Sequence, residues 1–205
     1  MAEDEAGIAR AAACLRAGQV IVMPTDTLYG LGADATDPAA VARVFAIKGR
    51  LETSPLLVLV RDLDEAKACG RIEGTALRAA ERFWPGPLTL VVRRAAHCKL
   101  ASNLNPLGDT VGLRVPARRE TLALIRAADR PLAAPSANRS GEKPVASAAE
   151  ALATFGEEVA LVLDGGTIDA APSSVLEWLD GGFRLRREGA LSRGTLEAAL
   201  GPIDA

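Results

Sequence analysis

Four short segments carry the side chains that could do chemistry, and none of them pairs a nucleophile with a base. Pro24 to Gly32 sets the hydroxyls of Thr25 and Thr27 among glycines at the end of an apolar run, Ile21-Val22-Met23. Hydroxyls and closely approachable backbone at a strand end suit a bound anion, although the same threonines would equally serve a tight turn. Lys48-Gly49-Arg50 places two cations where a helix hands over to a strand. There they could complement the helix dipole or bind phosphate, Arg as a two-pronged donor and Lys as a point charge. Ser136-Ala137-Asn138 follows an apolar strand and precedes Arg139 and Lys143. A serine and an asparagine two apart can close a turn or donate to a nucleotide. Ser173-Ser174 and the run Arg184 to Arg187 complete the set; alternation sends Arg184 and Arg186 to one face and Arg187 to the other, as a solvated edge strand also would.

The motifs that are missing narrow the chemistry. There is no G-x-x-x-x-G-K-[ST], G-x-G-x-x-G, H-E-x-x-H or G-x-S-x-G, and the sole histidine, His97, falls in an irregular stretch as a solvated bystander. Cys14, Cys69 and Cys98 are odd in number and form no C-x-x-C, so they read as reduced, partly buried thiols. Catalysis would therefore rest on hydroxyls, cations and backbone amides. A net charge of -2 excludes whole-surface affinity for nucleic acid or anionic lipid. A local basic cleft still follows if Lys48, Arg50, Arg114, Arg118, Arg119, Arg139, Lys143, Arg184, Arg186 and Arg187 converge. The start, Met1 to Glu5, is acidic where a secretory signal would be basic, and no apolar run is long enough for a bilayer, so no membrane contact is expected and the cytoplasm is the expected location.

The elements that must position these residues follow from periodicity. Helices are predicted over Glu5 to Ala17, from Asp37-Pro38 to Lys48, after Asp62, over Gly74 to Phe83 and Arg119 to Ala128, after Ser147, and over Ser192 to Leu200. Strands are predicted at Val20 to Met23, Leu56 to Val60 (covered on both faces), Leu88 to Val92, Val111 to Val115, Leu132 to Ala134 and Val159 to Leu163. A hairpin should join Ser174–Leu179 to Phe183–Arg187. Arg93 to Asp109 reads as a mobile surface loop. With 205 residues, 49% of them apolar, the pattern predicts one α/β domain on a mixed sheet, its core over about 5–200.

Five motifs in order carry a resemblance: Pro24-Thr25-Asp26-Thr27-Leu28-Tyr29-Gly30-Leu31-Gly32, Lys48-x-Arg50, Trp84-Pro85-Gly86-Pro87-Leu88-Thr89, Val111-Gly112-Leu113-Arg114-Val115-Pro116, and Pro135-Ser136-Ala137-Asn138-Arg139-Ser140-Gly141. Together they resemble the YrdC/Sua5 family of threonylcarbamoyl-AMP synthases, from the first helix to about Gly189. The resemblance implies a single α/β domain whose twisted mixed sheet and flanking helices surround a basic cavity. It also implies a nucleotidyl transfer that joins L-threonine, bicarbonate or CO2, and ATP into threonylcarbamoyl-AMP and pyrophosphate. Other proteins would pass the threonylcarbamoyl group to an adenosine of tRNA.

Carried over by position, the resemblance implies Lys48, Arg50, Ser136 and Asn138 as catalytic residues. Ser54, Thr110 and Arg187 join them at ATP, while Thr27, Arg114 and Ser173 hold threonine. Mg²⁺ would be held mainly by the triphosphate and water, with no protein ligands implied. The sequence departs from the family pattern at Leu51 after Arg50, at Leu59 where longer relatives often have histidine, at Ser174 in place of a threonine, and at Glu188. It resembles the short form, and no additional C-terminal domain is expected. Two other readings remain open at this point: a tRNA or double-stranded-RNA-binding module, and a carbamoyl-adenylate-forming carbamoyltransferase domain.

Overall fold

The computed structural model describes residues 1–49, 54–179 and 181–204, so Arg50 and Leu51 lie outside the described residues. Ile21–Pro24 (β1) and Tyr29–Asp34 (β2) form an antiparallel hairpin that pairs Ile21 with Gly32 and Pro24 with Tyr29. The turn expected to run through Gly32 therefore closes within Thr25 to Leu28, and the glycines belong to a fully buried strand. Tyr29, Leu31 and Ala33 alternate into the core, while Gly30 and Gly32 face close neighbours. A Cβ on Gly30 would lie 3.2 Å from the Pro135 carbonyl oxygen, and one on Gly32 would lie 3.1 Å from the Met23 sulfur. The glycines thus permit close packing rather than a bend.

The remaining strands are Leu57–Leu59 (β3), Leu88–Arg93 (β4), Thr110–Arg114 (β5), Leu132–Ala133 (β6), Leu161–Val162 (β7), Ser174–Leu179 (β8) and Gly182–Arg187 (β9). One mixed sheet results, in the order β7-β1-β2-β6-β3-β5-β4-β8-β9. The pairs β1/β7, β3/β5 and β4/β8 are parallel and the other neighbours antiparallel. The expected strand at Val159 to Leu163 shortens to two residues. The segment after β4 is not a free loop: Ser102–Leu104 makes a 3-10 turn, Leu100, Ala101 and Leu104 are buried, and the Ala101 amide donates to the Ala35 carbonyl at 2.8 Å.

The helices are Glu5–Arg16 (α1), Pro38–Lys48 (α2), Leu63–Cys69 (α3), Gly74–Phe83 (α4), Arg119–Ala128 (α5), Ala148–Phe155 (α6) and Arg193–Leu200 (α7). Asp4, Asp37, Asp62, Ser147 and Ser192 cap five of them by accepting a first-turn amide, an interaction worth about 1 kcal/mol each. Gly49, at φ 58°, ends α2 in the left-handed conformation. Residues from α2, α3, α4, α6 and α7 join the larger core on one face of the sheet. On the other face α1 and α5 pack together over Ile21, Met23, Leu59, Leu132 and Leu161.

That second face is covered over only part of its width. Along β3, β5, β4 and β8 every second residue is half-buried: Leu57, then Thr110 and Gly112, Val91, then Val175 and Glu177. Register joins them in a row, Leu57 opposite Gly112, Gly112 opposite Val91, and Val91 opposite Glu177. The strand predicted to be covered on both faces is so at Leu59 but opens at Leu57. No described helix is long and apolar enough to cross a membrane.

Candidate functional site

The open half of the sheet bears two adjoining hollows that share Leu57, Ser136 and Arg187 in their walls. The inner one, about 70 Å³, is lined by Thr25, Thr27, Leu59, Arg114 and Ser173 among others. Its centre is Arg114, whose backbone pairs with Leu59, so its side chain leaves the sheet on the face that α1 and α5 cover only in part. The guanidinium is buried and anchored three ways. Nε donates to the Gly86 carbonyl at 2.9 Å, Nη1 donates to Thr27 Oγ1 at 2.8 Å, and Nη2 lies 2.6 Å from Asp26 Oδ1. The last contact is a close ion pair without hydrogen-bond alignment, which leaves Arg114 Nη2 and Asp26 Oδ1 buried and unsatisfied.

Local sequence explains each anchor. Thr25 Oγ1 accepts the amides of Thr27 and Leu28 and donates to the Leu28 carbonyl, so Thr25 makes the turn and leaves the Thr27 hydroxyl to face Arg114. The Trp84-Pro85-Gly86-Pro87 turn brings a carbonyl to Nε, and a Cβ at Gly86 would lie 2.3 Å from the Phe83 oxygen. Ser173 sits opposite. Its Oγ is 2.9 Å from Thr89 Oγ1, and its carbonyl accepts two bonds from Arg187, at 2.9 and 3.2 Å. Ser174 holds this segment from behind, donating to the Leu191 carbonyl and accepting the amides of Gly189 and Leu191.

Burial pulls the pKa of Arg114 down against the opposing pull of Asp26. Arg187 is pulled down by burial and then by the charge of Arg114. Two guanidiniums that stay cationic thus repel each other across the inner hollow, with Asp26 as the carboxylate paired to Arg114. An anion with a small body fits that imbalance.

The outer hollow, about 330 Å³, is lined by Pro55, Leu57, Thr89, Val91, Asn105, Thr110, Gly112, Ser136 and Glu177 among others. Asn105 Nδ2 donates to Thr110 Oγ1 at 3.0 Å, which fixes that hydroxyl at the rim. Ser54 is half-buried just ahead of Pro55 and is not itself in the wall.

Lys48 and Asn138 stand behind the wall rather than in it. The buried Lys48 ammonium donates to the Ser136 carbonyl at 2.6 Å, the Asn138 carbonyl at 2.9 Å and Asn138 Oδ1 at 3.1 Å. Asn138 Oδ1 also accepts the Ser136 hydroxyl at 2.6 Å. Lys48, Ser136 and Asn138 therefore meet as predicted, with Lys48 tying the loop that turns Ser136 toward both hollows.

Several expected cations are engaged elsewhere. Arg118 pairs with Glu3, Arg186 with Glu177 at 2.6 Å, and Arg139 with Glu158 and the Ile47 carbonyl while its guanidinium lies 5.2 Å from the Phe155 ring centroid. Among the described residues, the cations that line the hollows are Arg114 and Arg187, with Lys48 behind. Asp26, Thr89 and Asn105 were not singled out from the sequence. An acid between two threonines reads as a turn former, and only the fold shows that it faces the buried arginine.

Paired hollows on the exposed half of a mixed sheet, one arginine-rich and one broader and hydroxyl-lined, define an α/β protein with two adjoining clefts, the inner of which has the size and charge to suit a small anion. The chain belongs to the Sua5/YciO/YrdC family, whose model, described as telomere recombination, matches residues 13–189. It is 38% identical over 209 residues to a threonylcarbamoyl-AMP synthase of Bacillus subtilis, covering 99% of this chain and 59% of that protein. A threonylcarbamoyl-AMP synthase of Chromohalobacter salexigens is 36% identical over 189 residues, covering 91% of this chain and all of that protein. The structure of Pyrococcus abyssi Sua5 complexed with L-threonine superposes with a TM-score of 0.92 at 35% identity, covering 98% of this chain and 59% of the Sua5 chain. The chain thus spans about three-fifths of the length of its Bacillus and Pyrococcus relatives.

Proposed function

We propose that this chain is an L-threonylcarbamoyladenylate synthase, and the observation that carries the reading is the arginine-walled hollow opening beside the larger one. In this reading the threonine carboxylate meets Arg114, its hydroxyl and amine meet Thr27 and Ser173, and Arg187, expected at ATP, lines both hollows and serves the two substrates together. Leu59 offers an apolar wall to its methyl group. ATP occupies the outer hollow against Thr110 and Ser136, with its phosphates toward the shared wall. Lys48 biases that wall electrostatically, and Ser54 and Arg50 complete the set, the latter from outside the described residues.

The threonine amine first attacks the carbon of CO2 and gives up a proton, or attacks bicarbonate with loss of water, and becomes an N-carboxylate (carbamate). A carbamate oxygen then attacks the α-phosphorus, the bond to the bridging oxygen breaks, and pyrophosphate leaves. The carbamate is itself the nucleophile, so the residues need only align the two substrates and neutralise charge. Among the described residues no three acidic, histidine or cysteine side chains converge to hold a metal ion. Magnesium entering with ATP would be carried by phosphate oxygens and water and would neutralise their charge. The product would pass in the cytoplasm to proteins that transfer the threonylcarbamoyl group to tRNA.

Pyrophosphate release by the purified chain should require ATP, bicarbonate and threonine together. Thr27→Val and Ser173→Ala should each raise the threonine KM about tenfold, corresponding to one lost hydrogen bond to a charged or polar ligand. ATP cleavage that ignores threonine would contradict the reading.

A further inference from the structure

Away from the two hollows, the fold brings together two cysteines that lie far apart in the chain. Cys69 ends α3, and the next residue, Gly70, forms an antiparallel bridge with Arg94 just beyond β4. A Cβ at Gly70 would lie 2.6 Å from a Val92 methyl carbon and 2.8 Å from one of Leu113, so only glycine lets the helix end settle this close to the strand. The Cys69 carbonyl accepts the Ala95 amide at 3.0 Å, and the Ala95 carbonyl accepts the Cys98 amide at 3.1 Å. That turn folds Cys98 back onto the end of α3, where both side chains pack into the same core cluster. There the two thiols are close enough to act on each other's ionisation, and the Leu100 amide acts on Cys98 as well.

The charged neighbours of the pair are Arg94, acting on both sulfurs, and Glu65, acting on Cys69. The far end of Arg94 is fixed by Nη2 donating to the Ala101 carbonyl at 2.6 Å, while its Nε is buried with no hydrogen-bond partner. A buried donor left over beside two thiols is a feature that an anionic sulfur would satisfy. Cys98 is partly exposed and Cys69 is buried beneath it.

We infer that Cys98 and Cys69 form a peroxide-reactive thiol pair, in which Cys98 is the oxidised sulfur and Cys69 closes an intramolecular disulfide. The neighbouring Cys69 thiol, then the Leu100 amide and the charge of Arg94, hold the Cys98 thiol down to about 6 against its burial, while the Cys98 neighbour and burial push Cys69 up. The pair thus keeps one shared proton, on Cys69, at neutral pH. The Cys98 thiolate attacks a peroxide oxygen. The S–O bond forms, the O–O bond breaks, and the departing hydroxide takes up the proton that Cys98 released to solvent on ionising, leaving a sulfenic acid and one water. Cys69 sulfur then attacks the Cys98 sulfur, the S–O bond breaks, and the hydroxide leaves with the Cys69 proton as water. Two thiols lose two electrons and two protons, and the peroxide becomes two waters.

The test treats the full chain with hydrogen peroxide, quenches in acid and maps its peptides. The expected product has lost two hydrogens, carries a Cys69–Cys98 linkage, and leaves Cys14, on the separate helix α1, open to alkylation. Cys69→Ser should instead accumulate a Cys98 sulfenic acid that a cyclic 1,3-dione traps. In untreated wild-type protein, iodoacetamide should modify Cys98 about tenfold faster than Cys14 at neutral pH, with its rate rising through about pH 6. Equal reactivity of Cys14 and Cys98, or oxidation giving only linkages between chains, would overturn the pair. The wild-type alkylation profile needs no variant, so a misfolded variant would not leave the question open.

Discussion

Arg114 is where sequence chemistry and fold meet, because one guanidinium ties together the turn after β1, the turn before β4 and the inner hollow. Its partner Asp26 is nearly as buried, with 16% of its side chain exposed against 4% for Arg114. Asp26→Asn should therefore cost about 3 kcal/mol in urea denaturation, since breaking a buried pair leaves a charge uncompensated. Unchanged stability would mean that the ion pair does not hold the hollow in shape. Lys48 gives a second expectation. Lys48→Met keeps the bulk of the stem and removes the donors to the Ser136 and Asn138 carbonyls, so it should cost about 2 kcal/mol and depress pyrophosphate release. At this scale residue types and the resemblance to a family singled out Thr27, Arg114, Ser173 and Ser136, which the fold brings to the walls of the hollows. It could not disclose Asp26 or Thr89, whose partners Arg114 and Ser173 lie far along the chain.

Among the elements, the helices and most strands were legible because caps, prolines and periodicity agree with the final packing. The strand Tyr29–Asp34 was not, although Tyr29, Leu31 and Ala33 alternate, because glycines at the other positions mimic a turn. Two clamps hold elements around the site. Gly189 passes so near the strap before β8 that a Cβ would lie 2.2 Å from the Pro172 oxygen and 2.7 Å from the Ser173 oxygen. Gly189→Ala should displace that strap, cost about 2 kcal/mol and raise the threonine KM, as read by denaturation and initial rates. Arg139 is the other clamp, joining the loop after Asn138 to the end of α2 and to Glu158 beyond α6. It holds the Glu158 carboxyl below the usual carboxylate range. A depressed carboxyl contributes stability that is complete above the unfolded value and is lost as pH falls through the folded one. Arg139→Ala should therefore lower the melting temperature at pH 7 and narrow its gap to wild type on acidification below about pH 4. A gap that stays constant with pH would assign the Arg139 effect to its contacts with Phe155 and the Ile47 carbonyl alone.

For the whole molecule, the two hollows follow from an asymmetry in how the sheet is covered. One face is packed along its length by the larger core, while α1 and α5 cover only part of the other, leaving the half-buried row from Leu57 to Glu177 to form the two hollows. Composition could not reveal this, because a net charge of -2 conceals two arginines converging on one small hollow. The central claim is that both hollows are filled together and that their contents react with each other. The most direct measurement is mass spectrometry of the product formed from ATP, threonine and carbon-13 bicarbonate. The account predicts threonylcarbamoyl-AMP carrying the labelled carbon and equimolar pyrophosphate, with neither formed when threonine is omitted. Pyrophosphate formed without threonine, or an adenylate lacking the label, would contradict it.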